Sequence, residues 1–270
     1  MRADQLLVER GLAASRSQAV RLIAGGLRWR DAGTADAWRT VAKNRDDLPE
    51  TAELELLDAA ESRYVSRGGL KLEAALRVAG VDPAGKQCLD VGQSTGGFTD
   101  CLLQHGAAHV TGVDVGHGQL HARLRGDARV TAIEKVNARA LTAIDLAVDG
   151  DGDDGSVQSD PSEPRFDIIV GDLSFISQTL VLPAVLQFLA PSGDLLMLVK
   201  PQFELQPGQV GKGGIVRDPA LYAVVEQRLR EACAALDLRV KNWFDSPIEG
   251  GDGNHEFFLH AVRAERQTLE

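Results

Sequence analysis

Cys88-Leu-Asp-Val-Gly92-Gln-Ser-Thr-Gly-Gly97-Phe-Thr99 decides how the rest of the chain is read. An apolar run delivers the chain into a Gly/Ser/Thr turn, and the helical stretch Thr99–His105 follows. Strand, glycine turn and helix in that order open an open-sheet α/β unit, where ligands bind beyond the carboxyl end of the strand. Three ligands compete for the turn. A triphosphate loop needs Gly-x4-Gly-Lys-Ser/Thr; Gly92 and Gly97 have that spacing, but Phe98 stands where the lysine belongs. A dinucleotide turn needs Gly-x-Gly-x-x-Gly, and the register here is Gly-x-x-x-Gly-Gly. S-adenosylmethionine, a cation with an amino-acid tail and no phosphate, suits Asp90, an acid just before the first glycine. Ser94 and Thr95 add hydroxyls to the turn, and Gly96 and Gly97 let backbone approach a ligand.

Working outward, apolar runs recur at Gln87–Gly92, His109–Val115, Val130–Lys135, Phe166–Leu173, Asp194–Pro201, Arg239–Phe244 and His255–Val262. Between 87 and 201 they alternate with helical stretches such as Gln178–Leu189, which predicts parallel strands with crossover helices. The last two runs are joined by the turn-rich SPIEGGDGN, short enough for antiparallel pairing. The second strand ends at Asp114, an acid able to accept from both hydroxyls of a ribose. The third ends near Asn137, whose amide suits an adenine edge.

Four charged residues of alternating sign sit at the ends of hydrophobic elements: Lys71, Asp172, Lys200 and Glu256. Strand ends of a parallel sheet converge on one edge, so Asp172 and Lys200 are expected near the cofactor. An alcohol attacking a methyl group must lose its proton. A lysine can assist when burial and nearby positive charge favour its neutral form, and two acids can hold the ammonium groups in place. This chemistry needs no metal. His117 and His121 are spaced i, i+4 but lack an obvious third ligand, so they read as solvated surface residues. Gly-Lys-Gly-Gly-Ile at 211–215 precedes no helix directly and reads as a loop over the site.

The 270-residue chain carries a formal net charge of −10, which by itself argues against a nucleic-acid partner. The charge is uneven. Residues 1–45 hold nine basic and four acidic residues, a surplus of five, so residues 46–270 carry −15. Residues 149–163, DGDGDDGSVQSDPSE, contribute six acids and no base, the composition of a disordered surface insertion. Residues 1–60 read as a compact αα unit followed by short strands. Asp4–Arg10 stops at Gly11; Ser15 and Gln18 start a second helix as a capping box, and Gly25-Gly26 ends it. Leu27-Arg28-Trp29-Arg30 and Ala52–Leu56 alternate as strands, leaving an arginine-rich outer surface. No run approaches the roughly 18 apolar residues of a membrane span, and the amino terminus has no signal-peptide core, so a cytoplasmic location is expected. Cys88, Cys101 and Cys233 show neither disulfide pairing nor metal-ligand spacing.

Taken in order, these strings resemble the TlyA-like proteins over nearly the whole chain. RADQLLVERGLAASRSQAVRLIAGG is similar to an S4-type RNA-binding module. YVSRGGLKLEAAL, LDVGQSTGGFTDCLL, VDVGHGQL, GDLSFIS, LVKPQFE, GKGGIVRDP and GNHEFFL are similar to the motifs of an FtsJ/RrmJ-like methyltransferase domain. The resemblance implies an α/β, Rossmann-like class I S-adenosylmethionine-dependent methyltransferase with a small N-terminal α+β S4-type domain. The implied division is 1–60 for RNA binding, 61–66 as linker and 67–265 for catalysis, with 149–164 as an insertion. It implies 2′-O-methylation of cytidine in ribosomal RNA, 16S, 23S or both, of the 30S and/or 50S subunits. The implied tetrad falls on Lys71, Asp172, Lys200 and Glu256, with Lys200 activating the ribose hydroxyl. Cofactor contacts are expected from Asp90, Gly92, Ser94, Thr95, Gly96, Gly97, Phe98, Asp114, Asn137, Asp172, Leu173 and Phe175. RNA contacts are expected from Arg2, Arg10, Arg16, Arg21, Arg28, Arg30 and Arg67.

The chain departs from the family pattern at Gln93, where alanine is common, at Ala3 and Gln5, and in the acidic insertion. The family has also carried a haemolysin label, but nothing in the sequence would build a pore. Two other readings stay open: a non-catalytic RNA-binding assembly factor and, less favoured, a membrane-active haemolysin.

Overall fold

A computed structural model describes residues 1–13, 15–24, 26–34, 36–56, 63–147, 165–248, 250 and 253–264, and leaves aside the side chains of Ser17, Arg21 and Ala24. The acidic stretch 149–164 and the first two residues of the expected 61–66 linker lie outside the described residues. The chain divides into two compact units, Met1–Leu70 and Lys71–Glu270.

In the first unit, helices Ala3–Glu9 and Arg16–Ala24 precede strands β1 (Leu27–Arg30), β2 (Arg39–Thr40) and β3 (Glu53–Leu56), ordered β2-β1-β3. Ser15 Oγ accepts from the Gln18 N–H at 3.2 Å, satisfying one of the donors a helix start leaves open. Leu6, Leu7, Leu22 and Leu27 are buried together, and Trp29, Leu54 and Leu56 pack against them from the sheet. Strand alternation thus turns Trp29 inward and Arg28 and Arg30 outward.

The second unit carries β4 (Gln87–Val91), β5 (His109–Asp114), β6 (Val130–Glu134), β7 (Phe166–Asp172), β8 (Leu189–Val199), β9 (Leu238–Asp245) and β10 (Phe257–Arg263). Their order is β6-β5-β4-β7-β8-β10-β9. Every neighbouring pair from β6 through β8 is parallel, and β10 runs antiparallel to both β8 and β9. The last two strands pair antiparallel, as their short link requires, but β10 inserts between β8 and β9 instead of adding at the edge. The reason is packing: Phe258, Leu259 and Ala261 are fully buried, as a central strand demands and an edge strand does not. β6 stops at Glu134 because Lys135 takes a left-handed conformation, φ 64°, and bonds to the Gly116 carbonyl.

Helix Gly68–Ala79 ends where Gly80 turns left-handed, φ 66°, and the Val81 N–H reaches the Leu76 carbonyl. Helix Gly97–Gln104 follows β4, and Gln178–Leu186 follows β7. Val181, Leu182 and Val185 press the second of these onto β7 and β8, through Ile169, Leu195 and Met197. Each fully buried side chain of this size contributes roughly 1.5–3 kcal/mol.

Candidate active site

Strands β4 and β7 are neighbours, yet the chain continues from β4 to one side and from β7 to the other. Sheets of this kind bind ligands in the crevice at such a reversal. A cavity of about 500 Å³ opens there. Gly92 and Ser94 enter it from the first turn, Asp114 from the end of β5 and Asn137 from beyond β6. Asp172, Leu173 and Phe175 complete the wall from the loop after β7. These are seven of the expected cofactor residues.

Local geometry aims each of them. Gly92 has φ 86°, and a Cβ there would stand 2.7 Å from the Asp172 carbonyl oxygen, so only glycine permits the β4 and β7 loops to approach this closely. Asp114 accepts from the Ser94 N–H at 2.8 Å and the Gly116 N–H at 2.6 Å, which fixes its carboxylate on the cavity wall. Asn137 Oδ1 accepts from the Arg139 N–H at 3.1 Å, leaving its amide nitrogen as a donor. Val113, Val136, Ala138 and Val181 supply apolar lining suited to the face of a base. Gln119 and Ser174 also line the cavity. The sequence reading missed both, although each lies inside a quoted motif, VDVGHGQL and GDLSFIS.

Asp90 stands behind this wall, fully buried. Thr99 Oγ1 donates to its Oδ2 at 2.7 Å, and Gln93 Nε2 donates to Thr99 Oγ1 at 2.9 Å. Its other oxygen, Oδ1, is buried with no hydrogen-bond partner. Burial pushes the Asp90 carboxyl up to about 7; the Thr99 hydrogen bond opposes this, and the charges of Asp172 and Asp114 add to it. Gln93, the departure from the family alanine, fills space that a Cβ on Gly112 would occupy, 2.0 Å from its amide nitrogen.

The four expected catalytic charges form two ion pairs. Lys200 Nζ stands 2.5 Å from Asp172 Oδ1 and donates to Ser174 Oγ at 3.0 Å. Lys71 Nζ donates to Glu256 Oε2, and both side chains are buried. Burial raises the Glu256 carboxyl above its usual range; Lys71 and Lys200 pull it back, and Asp172 adds to the rise. The pairs therefore feel one another as a single cluster. Lys200 and Asp172 are the more open pair, with side chains 14% and 27% exposed. Asp172 lines the cavity itself.

Other expected contacts are placed differently. Phe98 is buried and stacks on Phe258 at 6.4 Å, so it belongs to the core and not to the cavity wall. Gly96 and Gly97 are also off the wall: a Cβ on Gly96 would strike Leu124 at 2.4 Å, so its bareness serves helix packing. Thr95 bonds through its carbonyl to the His121 N–H. His117 pairs with Glu134 at 3.7 Å, while His121 caps helix Ala122–Arg125, so the two histidines face different tasks. Among the described residues no group of three or more His, Cys, Asp or Glu could hold a metal ion.

The expected RNA contacts are largely engaged within the first unit. Arg2 and Arg16 converge on buried Asp4 at 2.8 and 3.0 Å. Burial works against that charge, but the two guanidinium groups outweigh it and hold the carboxyl below its usual range. Arg10 donates to the Ala52 and Glu50 carbonyls. Arg28 and Arg30 pair with Glu55 and Glu53 across the strands and also flank the Trp38 ring. Arg67 is half-buried, and the Arg21 side chain lies outside the described residues. The outer arginines are thus compensated locally, which net charge alone did not reveal.

The cavity, its acid at the second strand end and the partnerless Asp90 oxygen fit a cationic nucleoside with an amino-acid tail. Together with the strand order, they define a Rossmann-like methyltransferase fold. Residues 64–263 match the FtsJ-like methyltransferase model. The chain is 44% identical over 259 residues to a Bacillus subtilis protein provisionally named rRNA methyltransferase YqxC, covering 96% of this chain and 84% of that one. It is 42% identical over 258 residues to the 16S/23S rRNA (cytidine-2'-O)-methyltransferase TlyA of Mycobacterium tuberculosis, covering 96% of this chain and 88% of that one. A solved structure from Streptococcus thermophilus, provisionally titled a hemolysin, superposes with TM-score 0.71 at 36% identity, covering 98% and 89% of the two chains. The chain belongs to the TlyA group of the FtsJ-like methyltransferase family. No described helix is long and apolar enough to cross a membrane.

Proposed function

We propose that this chain transfers a methyl group from S-adenosylmethionine to the 2′-hydroxyl of a cytidine ribose in ribosomal RNA, acting in the cytoplasm on the 30S subunit, the 50S subunit or both. The observation that carries this reading is the Lys200–Asp172 pair at the wall of the nucleoside-sized cavity, backed by the buried Lys71–Glu256 pair. When bound, the cofactor supplies an electrophilic methyl group on a positively charged sulfur. Asp114 would hold the ribose hydroxyls, Asn137 the base edge, and Asp90 the amino-acid end, directly or through water.

Lys200 is the proton acceptor. Asp172 and Ser174 each engage its Nζ, so the side chain is aimed before substrate arrives. In its neutral form Nζ takes the hydroxyl proton as the ribose oxygen attacks, and Asp172 then balances the ammonium that results. Burial raises the Glu256 carboxyl and the paired Lys71 opposes that rise, so the two pairs set charges of alternating sign around the site. The first unit serves RNA recruitment as an S4-like module, reading charge and shape of a folded RNA.

The test is methyl transfer from labelled cofactor to naked RNA, 30S and 50S subunits, with wild type and Lys200→Ala. Labelling of one or both subunits that Lys200→Ala abolishes is expected. Unchanged labelling by Lys200→Ala would overturn the role of Lys200. No labelling of any RNA by wild type would favour a non-catalytic assembly factor, and leakage of liposomes would favour a membrane-active one.

A further inference from the structure

The segment after Lys200 carries a buried acid that the reaction does not use. Glu204 is 2% exposed, and burial raises its carboxyl above the usual range. Its two oxygens accept separate bonds from consecutive residues. Ser177 Oγ donates to Oε2 at 2.5 Å, and the Gln178 N–H donates to Oε1 at 2.7 Å. Gln178 then reaches back with its side chain, Nε2 donating to the Leu198 carbonyl at 2.7 Å. Lys200 lies between Leu198 and Glu204, so both of its flanks are tied to the Ser177-Gln178 dipeptide. That dipeptide directly follows Asp172–Ile176, the loop that carries both partners of Lys200. The Phe175 and Phe203 rings meet between the same two segments, 5.0 Å apart.

We infer that Glu204 is a positioning residue: its carboxylate clamps the Lys200 segment to the Asp172 loop and so fixes the distance between the proton acceptor and its partner. A carboxylate suits this because it accepts on both sides. A glutamine of the same shape can still accept from the Gln178 N–H, but its NH2 group must reverse the bond to Ser177 Oγ, a hydroxyl that already accepts from the Thr179 N–H at 3.2 Å, so the clamp is weakened on that side. A buried acid costs stability unless such donors offset it, so its presence here serves placement more than cohesion. Sliding one loop past the other would break these bonds before it separated Lys200 from Asp172. The inference rests on the proposed role of Lys200 for its effect on rate, but the clamp itself can be read without activity.

The experiment uses the full chain with Glu204→Gln, Ser177→Ala and Ser177→Thr, the last retaining the hydroxyl. Amide hydrogen exchange followed by mass spectrometry should show about tenfold or greater loss of protection in 173–178 and 199–204 for the first two variants, with the sheet unchanged. Methyl transfer should fall about 10- to 100-fold in kcat for Glu204→Gln and less for Ser177→Ala, with RNA KM and S-adenosylhomocysteine Kd within about threefold of wild type. Ser177→Thr should restore both readouts. Unchanged exchange in the two segments or exchange raised throughout the unit would overturn the clamp, and a kcat within about twofold of wild type despite raised exchange would overturn its role in positioning Lys200. If Glu204→Gln does not fold, Ser177→Ala and Ser177→Thr decide by the same criteria. If wild type labels no RNA, the proposed function fails while the exchange result still decides the clamp.

Discussion

Lys71 and Glu256, 185 positions apart in the chain, meet as an ion pair whose side chains are only 5% and 3% exposed. Two ions removed from water this completely depend on each other. Removing one leaves an uncompensated buried charge, which costs about 3–5 kcal/mol. Lys71→Met should lower unfolding free energy by that amount in urea titrations. Lys71→Met combined with Glu256→Leu should regain most of it while methyl transfer stays lost. A double variant as unstable as the single would show that packing of helix Gly68–Ala79, and not the charge, sets the cost.

If Asp90 meets the amino-acid end of the cofactor, as proposed, cofactor affinity should depend on pH. Its carboxyl is raised from 3.8 to about 7, so the folded chain holds a proton there that the unfolded chain releases. The stability due to that proton is complete below pH 4 and is lost as pH rises from about 4 through 7. Asp90→Asn should therefore gain stability relative to wild type across that window. A cationic amino group must displace the same proton, so S-adenosylhomocysteine should bind more weakly below pH 7, with proton release. Calorimetry at pH 6, 7 and 8 in two buffers measures this, and Asp90→Asn should remove the pH dependence. Equal affinity at all three pH values in wild type would refute the assignment.

Gly112 and Gln93 are a matched pair. A Cβ at 112 would overlap the Gln93 side chain, so Gly112→Ala should destabilise by about 1–3 kcal/mol. Adding Gln93→Ala opens the space and should recover most of that loss in chemical denaturation. It also removes the donor to Thr99, so cofactor affinity should not recover fully.

Arg16 offers a test that separates RNA recruitment from folding. Its side chain is 58% exposed although it bonds to Asp4, and Arg2 still holds Asp4 without it. Arg16→Ala should weaken RNA binding with little change in melting temperature. It should also flatten the slope of log K against log salt by about 0.7–0.9 if one phosphate contact is lost. Filter binding between 50 and 200 mM salt, values at which phosphate contacts are resolved, checks it. An unchanged slope would remove Arg16 from the RNA surface.

Much of the fold was legible because its signals are local. Gly92, Asp114 and Asp172 each end an apolar run, and parallel strands carry such ends to one edge whatever lies between them. The two ion pairs were not legible as pairs. Four charges of alternating sign suggested a cluster, but which acid meets which lysine depends on β10 entering between β8 and β9. The core packing of Phe98 was not legible for a related reason: its neighbour Phe258 comes from that same strand. Arginine count likewise overstated the free charge of the first unit, because Glu53 and Glu55 face Arg30 and Arg28 only in the folded register.

Sequence by itself determined the strand–turn–helix order, the residues at the strand ends and the absence of a triphosphate lysine at Phe98, since these depend on neighbours a few positions apart. Tertiary structure alone decided that Glu204 closes on Ser177 and Gln178, that Gln93 occupies the space beside Gly112, and that Asp90 keeps one oxygen without a partner. Those are outcomes of close packing and desolvation, which act between atoms brought together from distant parts of the chain and leave no periodic trace along it.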